Sequence, residues 1–431
     1  MVERGLREAG RRRGEKAILV GVTGPNAGAG GQDSLDELGR LADTAGAVTV
    51  DRVVQRREAP DASTYIGKGK AEEVAALAKE RGAEVVLFDV SLAPAQIRNL
   101  EKILGLRVVD RTEIILDIFA LHARTHQAQL QVELAQMEYL MPRLRRMWTH
   151  LSREGGLGAV GIGARGPGEK QIEIDRRILR RKTLELKREL KEIAARTRRM
   201  TESRSPFFNV SLVGYTNAGK STLLRRLTGA ETLVADQLFS TLDTQTRAWQ
   251  VEGHKKVFLS DTVGFIRDLP HHLVASFFAT LEELRAADLL LHVVDAAHPN
   301  AIGQIQAVEA VLEEIGALEA PRILVLNKAD RVEDPVDLHI LSRGREPSVP
   351  VSAVEGTGIE RLSDEVRKRI HEGQAVVEFT LPAGAGRLLA FLAEHGTVLD
   401  RTYMDGMVLL RVRIGSADHA RAVKMAAELG R

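Results

Sequence analysis

No cysteine occurs among the 431 residues, which excludes disulfides and thiolate metal centres and fits a reducing cytoplasm. No run of about 18 apolar residues occurs either, so no segment reads as a membrane span. Net charge is nearly absent: 61 basic side chains stand against 59 acidic ones, a balance of +2. A uniformly basic nucleic-acid binder is thereby excluded, and any such contact has to be local. The Arg-rich start, Met1 to Lys16, is interrupted by Glu3, Glu8 and Glu15 and leads into no apolar run of signal-peptide length. Residues 1–16 therefore read as a solvated basic tail. Apolar material is plentiful at 44%, and a chain this long can bury several cores, so roughly two to four domains are expected.

From residue 17 to 110 short apolar runs alternate with helical stretches. Strand candidates are Ile18 to Val22, Val48 to Val54, Val85 to Phe88 and Val108 to Val109, with Leu35 to Leu41, Ala71 to Lys79 and Ala95 to Leu104 between them. That alternation predicts a small N-terminal α/β domain. Its segment Tyr65-Ile66-Gly67-Lys68-Gly69-Lys70 could hold a phosphate, but alone that signal is weak and a turn that starts a helix is the favoured reading. Over residues 111–205 the period changes. Leu130, Leu134, Met137, Met141, Leu144 and Trp148 make one helical seam, and Ile172, Leu179, Leu186, Leu190, Ile193 and Met200 make a second. Between them the Gly-rich stretch 155–168 cannot continue a helix, so a long helical hairpin with a glycine tip is expected. Arg143, Arg145, Arg146, Arg153, Arg165 and Lys170 cluster at that tip, Arg176, Arg177, Arg180, Arg181 and Lys182 follow, and Tyr139 and Trp148 offer stacking surfaces. This is the local contact with RNA that the composition allows. Residues 206–372 carry the chemistry, and residues 373–431 read as a small α+β unit. In the latter, strands at Val376–Leu381, Val398–Tyr403 and Met407–Ile414 alternate with helices at Arg387–Glu394 and from Ala417.

The apolar run Phe207 to Val213 leads directly into Gly214-Tyr215-Thr216-Asn217-Ala218-Gly219-Lys220-Ser221, and a helix pattern follows from Thr222. This is a P-loop in its strand-to-helix setting: glycines let backbone N–H groups wrap the phosphates, Lys220 reaches the β and γ phosphates, and the Ser221 hydroxyl ligates Mg²⁺. Downstream, Val257 to Ser260 ends in Asp261-Thr262-Val263-Gly264, which places Asp261 to hold Mg²⁺ through a water and the Gly264 N–H to meet the γ-phosphate. In Phe239-Ser240-Thr241-Leu242-Asp243, Thr241 is the candidate to complete the Mg²⁺ shell, with Thr244 and Thr246 as competitors. The strand Ile323 to Leu326 then delivers Asn327-Lys328-Ala329-Asp330. A carboxylate at Asp330 accepts from N1–H and the exocyclic amine of guanine, whereas adenine would leave it facing an acceptor at a cost of about 1–3 kcal/mol. The nucleotide is thus GTP, and Ser352-Ala353-Val354 can offer backbone N–H groups to guanine O6.

These motifs resemble the translation-factor-related GTPases, and nearly the whole chain resembles the HflX family of ribosome-associated GTPases. The likeness rests on Gly214 to Ser221, on Tyr65 to Lys70, on Gly166 to Glu173 leading to Asp175-Arg176-Arg177, on Phe239 to Asp243 and on Asp261 to Phe265. The segment Gly155 to Gly163 is longer than the family's usual form. The resemblance implies an α/β multidomain architecture and binding of GTP and GDP. It further implies contact with the large ribosomal subunit and its rRNA, splitting of ribosomes in stress or hibernation, and slow hydrolysis that the ribosome stimulates. The protein is expected to be a cytoplasmic, ribosome-associated monomer. Many GTPases place a water-orienting Gln after the D-x-x-G glycine; here it is Phe265, which cannot orient water, so slow intrinsic hydrolysis is expected on chemical grounds too. Similar GTPases lacking that Gln hold K⁺ with an Asn in the phosphate loop. Asn217 stands there, either as a K⁺ ligand or simply as a loop former. An ATP-driven RNA remodeller using Gly67 to Lys70 and a non-catalytic RNA-docking scaffold are the alternatives from other classes.

Overall fold

A computed structural model describes residues 14–24, 30–144, 167–202, 208–229, 238–239, 245–251, 257–267, 284–345, 347–372 and 374–429. The expectations for residues 1–13, Arg145, Arg146, Trp148, Arg153, Arg165, the tip from 155 to 166, Ser240, Thr241, Leu242, Asp243 and Thr244 lie outside these residues.

The first sheet is built from β1 (Lys16–Thr23), β2 (Val48–Arg56), β3 (Val85–Phe88) and β4 (Arg107–Asp110), all parallel in the order β2-β1-β3-β4. Both faces are covered, which is why its inner strands are continuous apolar runs rather than alternating ones. Ile18, Val20, Val86 and Phe88 enter one core, with residues of α2 (Lys68–Arg81) and α3 (Pro94–Leu104). Ala17, Leu19, Val85 and Leu87 enter the other, with α1 (Gly30–Thr44) and α4 (Arg111–His122). The change of period near residue 111 groups α4 with the hairpin. In the structure α4 packs both on α1 and on the following helix, His126–Leu140: Ile114, Ile115, Leu116, Ile118 and Phe119 are all buried in one cluster with Leu38 and Leu41 on one side and Ala128, Val132 and Ala135 on the other.

The hairpin consists of α5 (His126–Leu140), a short turn Met141–Arg143 and α6 (Pro167–Glu202). Leu130, Leu134, Met137 and Leu144 meet Leu179 and Leu186, with Leu190 and Ile193 at the margin, so the two expected seams form one interface. Ion pairs Lys187–Glu138 (2.8 Å) and Lys182–Glu133 flank it. Arg143 is placed differently from the expectation of an RNA-facing cation. It is 12% exposed at its side chain, donates to Asp110 Oδ2 (3.1 Å) and to the Leu92 carbonyl (2.9 Å), and lies 3.6 Å over the Tyr139 ring. Tyr139, expected as a stacking surface, is buried and donates to Asp110 Oδ1 at 3.0 Å. Both side chains serve an internal polar cluster, because burial pushes the Asp110 carboxyl up and Arg143 opposes that shift.

The large sheet follows: β5 (Asn209–Gly214), β6 (Gln245–Trp249), β7 (Val257–Asp261), β8 (Leu289–Asp295), β9 (Arg322–Asn327) and β10 (Ser348–Pro350), ordered β10-β9-β8-β5-β7-β6. Only β6 runs antiparallel, at the edge. Chain order reverses on either side of β5, whose carboxyl end is therefore the crevice where α/β sheets bind ligands. The helices of this unit are α7 (Lys220–Thr228), α8 (Ala301–Glu314), α9 (Pro335–Ser342) and α10 (Ile359–His371). Last come β11 (Gln374–Pro382), α11 (Gly386–His395), β12 (Gly396–Met404), β13 (Met407–Gly415) and α12 (Ser416–Leu429), an antiparallel β11-β13-β12 sheet. Phe379, Leu381, Val408, Leu410, Val412 and Ile414 pack against Leu388 and Leu392 of α11 and Ala422 of α12. One apolar cluster runs from the first domain into the large sheet, joining Leu19, Ile115 and Phe119 to Val213, Tyr215, Phe239, Val263 and Phe265.

Candidate nucleotide site

The phosphate loop occupies the carboxyl end of β5, as its spacing requires. Lys220 is buried and donates to the carbonyls of Gly214 (3.0 Å) and Tyr215 (2.9 Å), which aims its ammonium across the loop. Burial pushes that ammonium down to about 8, and Asp261 opposes the shift. A phosphate placed here supplies the counter-charge that keeps the lysine protonated. Gly219 has φ +92°, and a Cβ on it would come within 2.3 Å of Asn327 Nδ2, so no other residue fits. Thr216 and Ala218 are buried in the loop wall, Ser221 and Thr222 are half-buried at the start of α7, and Asn217 is exposed with φ +61°. That left-handed backbone is one Asn adopts readily, which satisfies the loop-former reading.

Ser221 Oγ donates to Asp261 Oδ2 at 2.6 Å, bringing the two expected Mg²⁺ donors together. A hydroxyl beside a carboxylate is an all-oxygen donor set that suits Mg²⁺. No cluster of three or more His, Cys, Asp or Glu that could hold a metal by itself exists among the described residues. Thr262 is buried and its hydroxyl donates to the Leu212 carbonyl (2.7 Å), pinning β7 to β5. Backbone bonds from Thr216 N–H to the Phe265 carbonyl (2.7 Å) and from Phe265 N–H to the Gly214 carbonyl (3.1 Å) lay Val263 and Gly264 against the phosphate loop. A Cβ on Gly264 would meet Lys220 Nζ and Thr216 Cγ2 at 2.9 Å and the Thr216 Cα at 3.0 Å, so a side chain here would press on the phosphate loop itself.

On the base side Asn327 is a bracket. Its Nδ2 donates to the Ala218 carbonyl (2.8 Å) and its Oδ1 accepts from Ala353 N–H (3.1 Å), so one side chain joins the phosphate loop to the Ser352–Val354 turn. Lys328 has φ +60° and pairs with Asp295 (2.6 Å); Ala329 and Asp330 follow in a short turn. Of the N–H groups expected to meet guanine O6, those of Ser352 and Ala353 have protein acceptors, Thr357 O (2.9 Å) and Asn327 Oδ1. Arg226 belongs to no nucleotide motif, yet it donates to the carbonyls of Ala353 (3.1 Å) and Val354 and so braces that turn from α7. Phe239 is also placed differently from the expectation of a nucleotide contact. Its ring is buried edge-on against Phe119 of α4, centroids 4.7 Å apart.

Four successive family models match the chain: "GTP-binding GTPase N-terminal" over residues 32–120, "GTP-binding GTPase Middle Region" over 122–204, "50S ribosome-binding GTPase" over 209–328 and "HflX C-terminal domain" over 337–431. The chain is similar to the GTPase HflX of Escherichia coli (strain K12), 44% identical over 416 residues that span 95% of this chain and 96% of that protein. It is also similar to the GTPase HflX of Alkalihalophilus pseudofirmus, 48% identical over 322 residues, 74% and 75% of the two chains. Among solved structures, a GTP-binding protein from Sulfolobus solfataricus in complex with GDP aligns over 83% of this chain and 99% of that one, at 24% identity and a TM-score of 0.43. With its nucleotide motifs gathered at one crevice and relatives matching it nearly end to end, this chain belongs to the HflX family of GTPases.

Proposed function

We propose that this GTPase binds the large ribosomal subunit and uses GTP binding and hydrolysis to split or rescue stalled or hibernating ribosomes under stress. The observation that carries this reading is a cationic face on α6. Arg177, Arg180 and Arg181 are exposed, Arg176 is half-exposed, and none of the four forms an ion pair among the described residues. Spacings of three and four put Arg177, Arg180 and Arg181 on one side of the helix, where planar guanidinium groups suit rRNA phosphates. The description of the 209–328 family model, "50S ribosome-binding GTPase", supports the same partner.

In hydrolysis the phosphate-loop N–H groups and Lys220 hold the β and γ phosphates, and Asp330 selects guanine. Ser221, Asp261 and Thr241 would hold Mg²⁺, whose chemistry is to neutralise charge on the phosphate oxygens. The Gly264 N–H meets the γ-phosphate. Phe265, 2% exposed, has no group to orient water, so positioning by this chain and by the ribosome sets the rate. Asn217 is the candidate K⁺ ligand.

The triple variant Arg177→Glu, Arg180→Glu, Arg181→Glu tests the reading. Large-subunit affinity should fall at least about tenfold, and the plot of log affinity against log salt should become shallower by roughly two units. Unaltered affinity and slope, with native circular dichroism, would remove α6 from the interface.

A further inference from the structure

Five polar side chains from both sides of the domain boundary meet beside the phosphate loop: Glu37 on α1, Asp89 after β3 and Arg111 on α4 from the first domain, and Tyr215 and Arg267 from the GTPase unit. Arg111, 2% exposed, bridges Glu37 (3.1 Å) and Asp89 (2.6 Å) and donates to the Arg267 carbonyl (3.2 Å). The Arg267 guanidinium reaches Asp89 (3.0 Å) and Ser34 Oγ (2.6 Å). At the centre, the Tyr215 hydroxyl donates to Glu37 Oε1 (2.7 Å) and accepts the Arg267 backbone N–H (2.7 Å). Burial and the adjacent Glu37 raise the phenol far above its ordinary range, so it stays a donor.

The same Tyr215 has its carbonyl on Lys220 Nζ (2.9 Å). Its neighbours Gly214 and Thr216 are the residues zipped to Phe265. One side chain therefore ties the phosphate loop, the segment after Gly264 and the first domain together. Arg267 lies three residues beyond Gly264, so a shift of Gly264 toward or away from a γ-phosphate is transmitted to the Arg267–Asp89 pair. Two carboxylates face two guanidinium groups in this cluster, and withdrawing Arg267 would leave buried charge unbalanced, which a low-dielectric interface resists.

We propose that Tyr215 is a positioning residue for GTP hydrolysis: Glu37 of the first domain, through the Tyr215 hydroxyl, holds the phosphate loop and the Gly264 segment in register. The Arg267–Asp89 pair makes release of that segment conditional on first-domain docking. This reading rests on GTP hydrolysis alone and is tested with no ribosome present, so its failure leaves the ribosomal proposal standing.

Steady-state hydrolysis is measured for Tyr215→Phe, Glu37→Ala, Glu37→Gln and the double variant Tyr215→Phe/Glu37→Ala, each at a temperature where its circular dichroism is native. Tyr215→Phe and Glu37→Ala should each lower kcat about tenfold with KM changed less than about twofold. Glu37→Gln, which keeps an acceptor for the phenol, should recover most of kcat, and the double variant should lose little more than either single one. A fluorescent GDP analogue should dissociate severalfold faster from Asp89→Asn. Two outcomes would overturn the proposal: an unchanged kcat with only a lowered Tm, or Glu37→Gln behaving as Glu37→Ala. Unchanged GDP release from Asp89→Asn would overturn the conditional step.

Discussion

Asn327 Nδ2 lies 2.8 Å from the Ala218 carbonyl, so the strand that leads to Asp330, the proposed acceptor for guanine, is fastened to the phosphate loop. On that proposal guanine choice and phosphate binding are parts of one rigid arrangement. Replacing Asp330 by Asn exchanges an acceptor for a mixed donor and acceptor. GTP affinity of Asp330→Asn should fall about tenfold to a hundredfold, and xanthine nucleotides should bind better than GTP. Competition of XTP, GTP and ATP against a fluorescent nucleotide checks this, and equal binding of ATP and GTP by the unaltered protein would contradict it.

Asn217 combines an exposed side chain with φ +61°. Asn217→Gly keeps that backbone without strain while removing the amide oxygen, so it separates the two roles. If the oxygen holds K⁺, hydrolysis should be faster in K⁺ than in Na⁺ for the unaltered protein, and the difference should vanish in the variant. Equal rates in the two salts would leave Asn217 a loop former only.

How much of this is legible in the sequence depends on distance along the chain. The phosphate loop, the Asp261–Gly264 segment and Asn327–Asp330 are short motifs at strand ends, and local spacing alone specifies them. The hairpin seams are legible for the same reason, since a period repeated over many residues assigns Leu130, Leu134, Leu179 and Leu186 to helix faces that must be covered. Contacts such as Tyr215 with Glu37, 178 residues apart, leave no periodic trace. The inward turn of Arg143 is illegible because charge near the tip says nothing of Asp110, which lies 33 residues upstream and takes that charge into the interior. The placement of α4 is legible in part: the dense apolar set Ile114, Ile115, Leu116, Ile118 and Phe119 argues for a helix covered on more than one side, as it is by α1 and α5.

His292 sits in the middle of β8, 2% exposed, and its imidazolium is disfavoured by burial and then by Arg322, Arg345 and Lys220, which push its pKa down from 6.5 to about 3. The folded protein therefore keeps it neutral, while the unfolded chain takes up a proton below about 6.5. Stability from this residue is fully present above pH 6.5 and is lost as pH falls toward 3, by about 5 kcal/mol in all. Asp89 and Asp110, raised by burial, act in the opposite direction. Urea unfolding of His292→Leu and of the unaltered protein between pH 7 and 4 isolates the contribution: the difference should shift steadily in the variant's favour as pH falls, and parallel curves would contradict it.

The glycine-rich tip is expected to contact rRNA without taking part in nucleotide binding. Replacing residues 155–168 with a short linker should leave GTP affinity within about twofold, because the phosphate loop, Asp261 and Asp330 are untouched, while large-subunit binding and splitting fall and salt dependence becomes shallower. Splitting at the normal rate by the shortened protein would make the tip a mere connection.

On the proposed mechanism GTP controls docking on the large ribosomal subunit: a γ-phosphate at the Gly264 N–H orders the segment around Thr241 and fixes the hairpin's orientation. Co-sedimentation of the protein with purified large subunits, in a non-hydrolysable GTP analogue, in GDP and without nucleotide, measures this dependence. Near-stoichiometric binding with the analogue and at least about tenfold weaker binding with GDP is the expected result. Equal binding in all three conditions, or no binding in any, would contradict the mechanism.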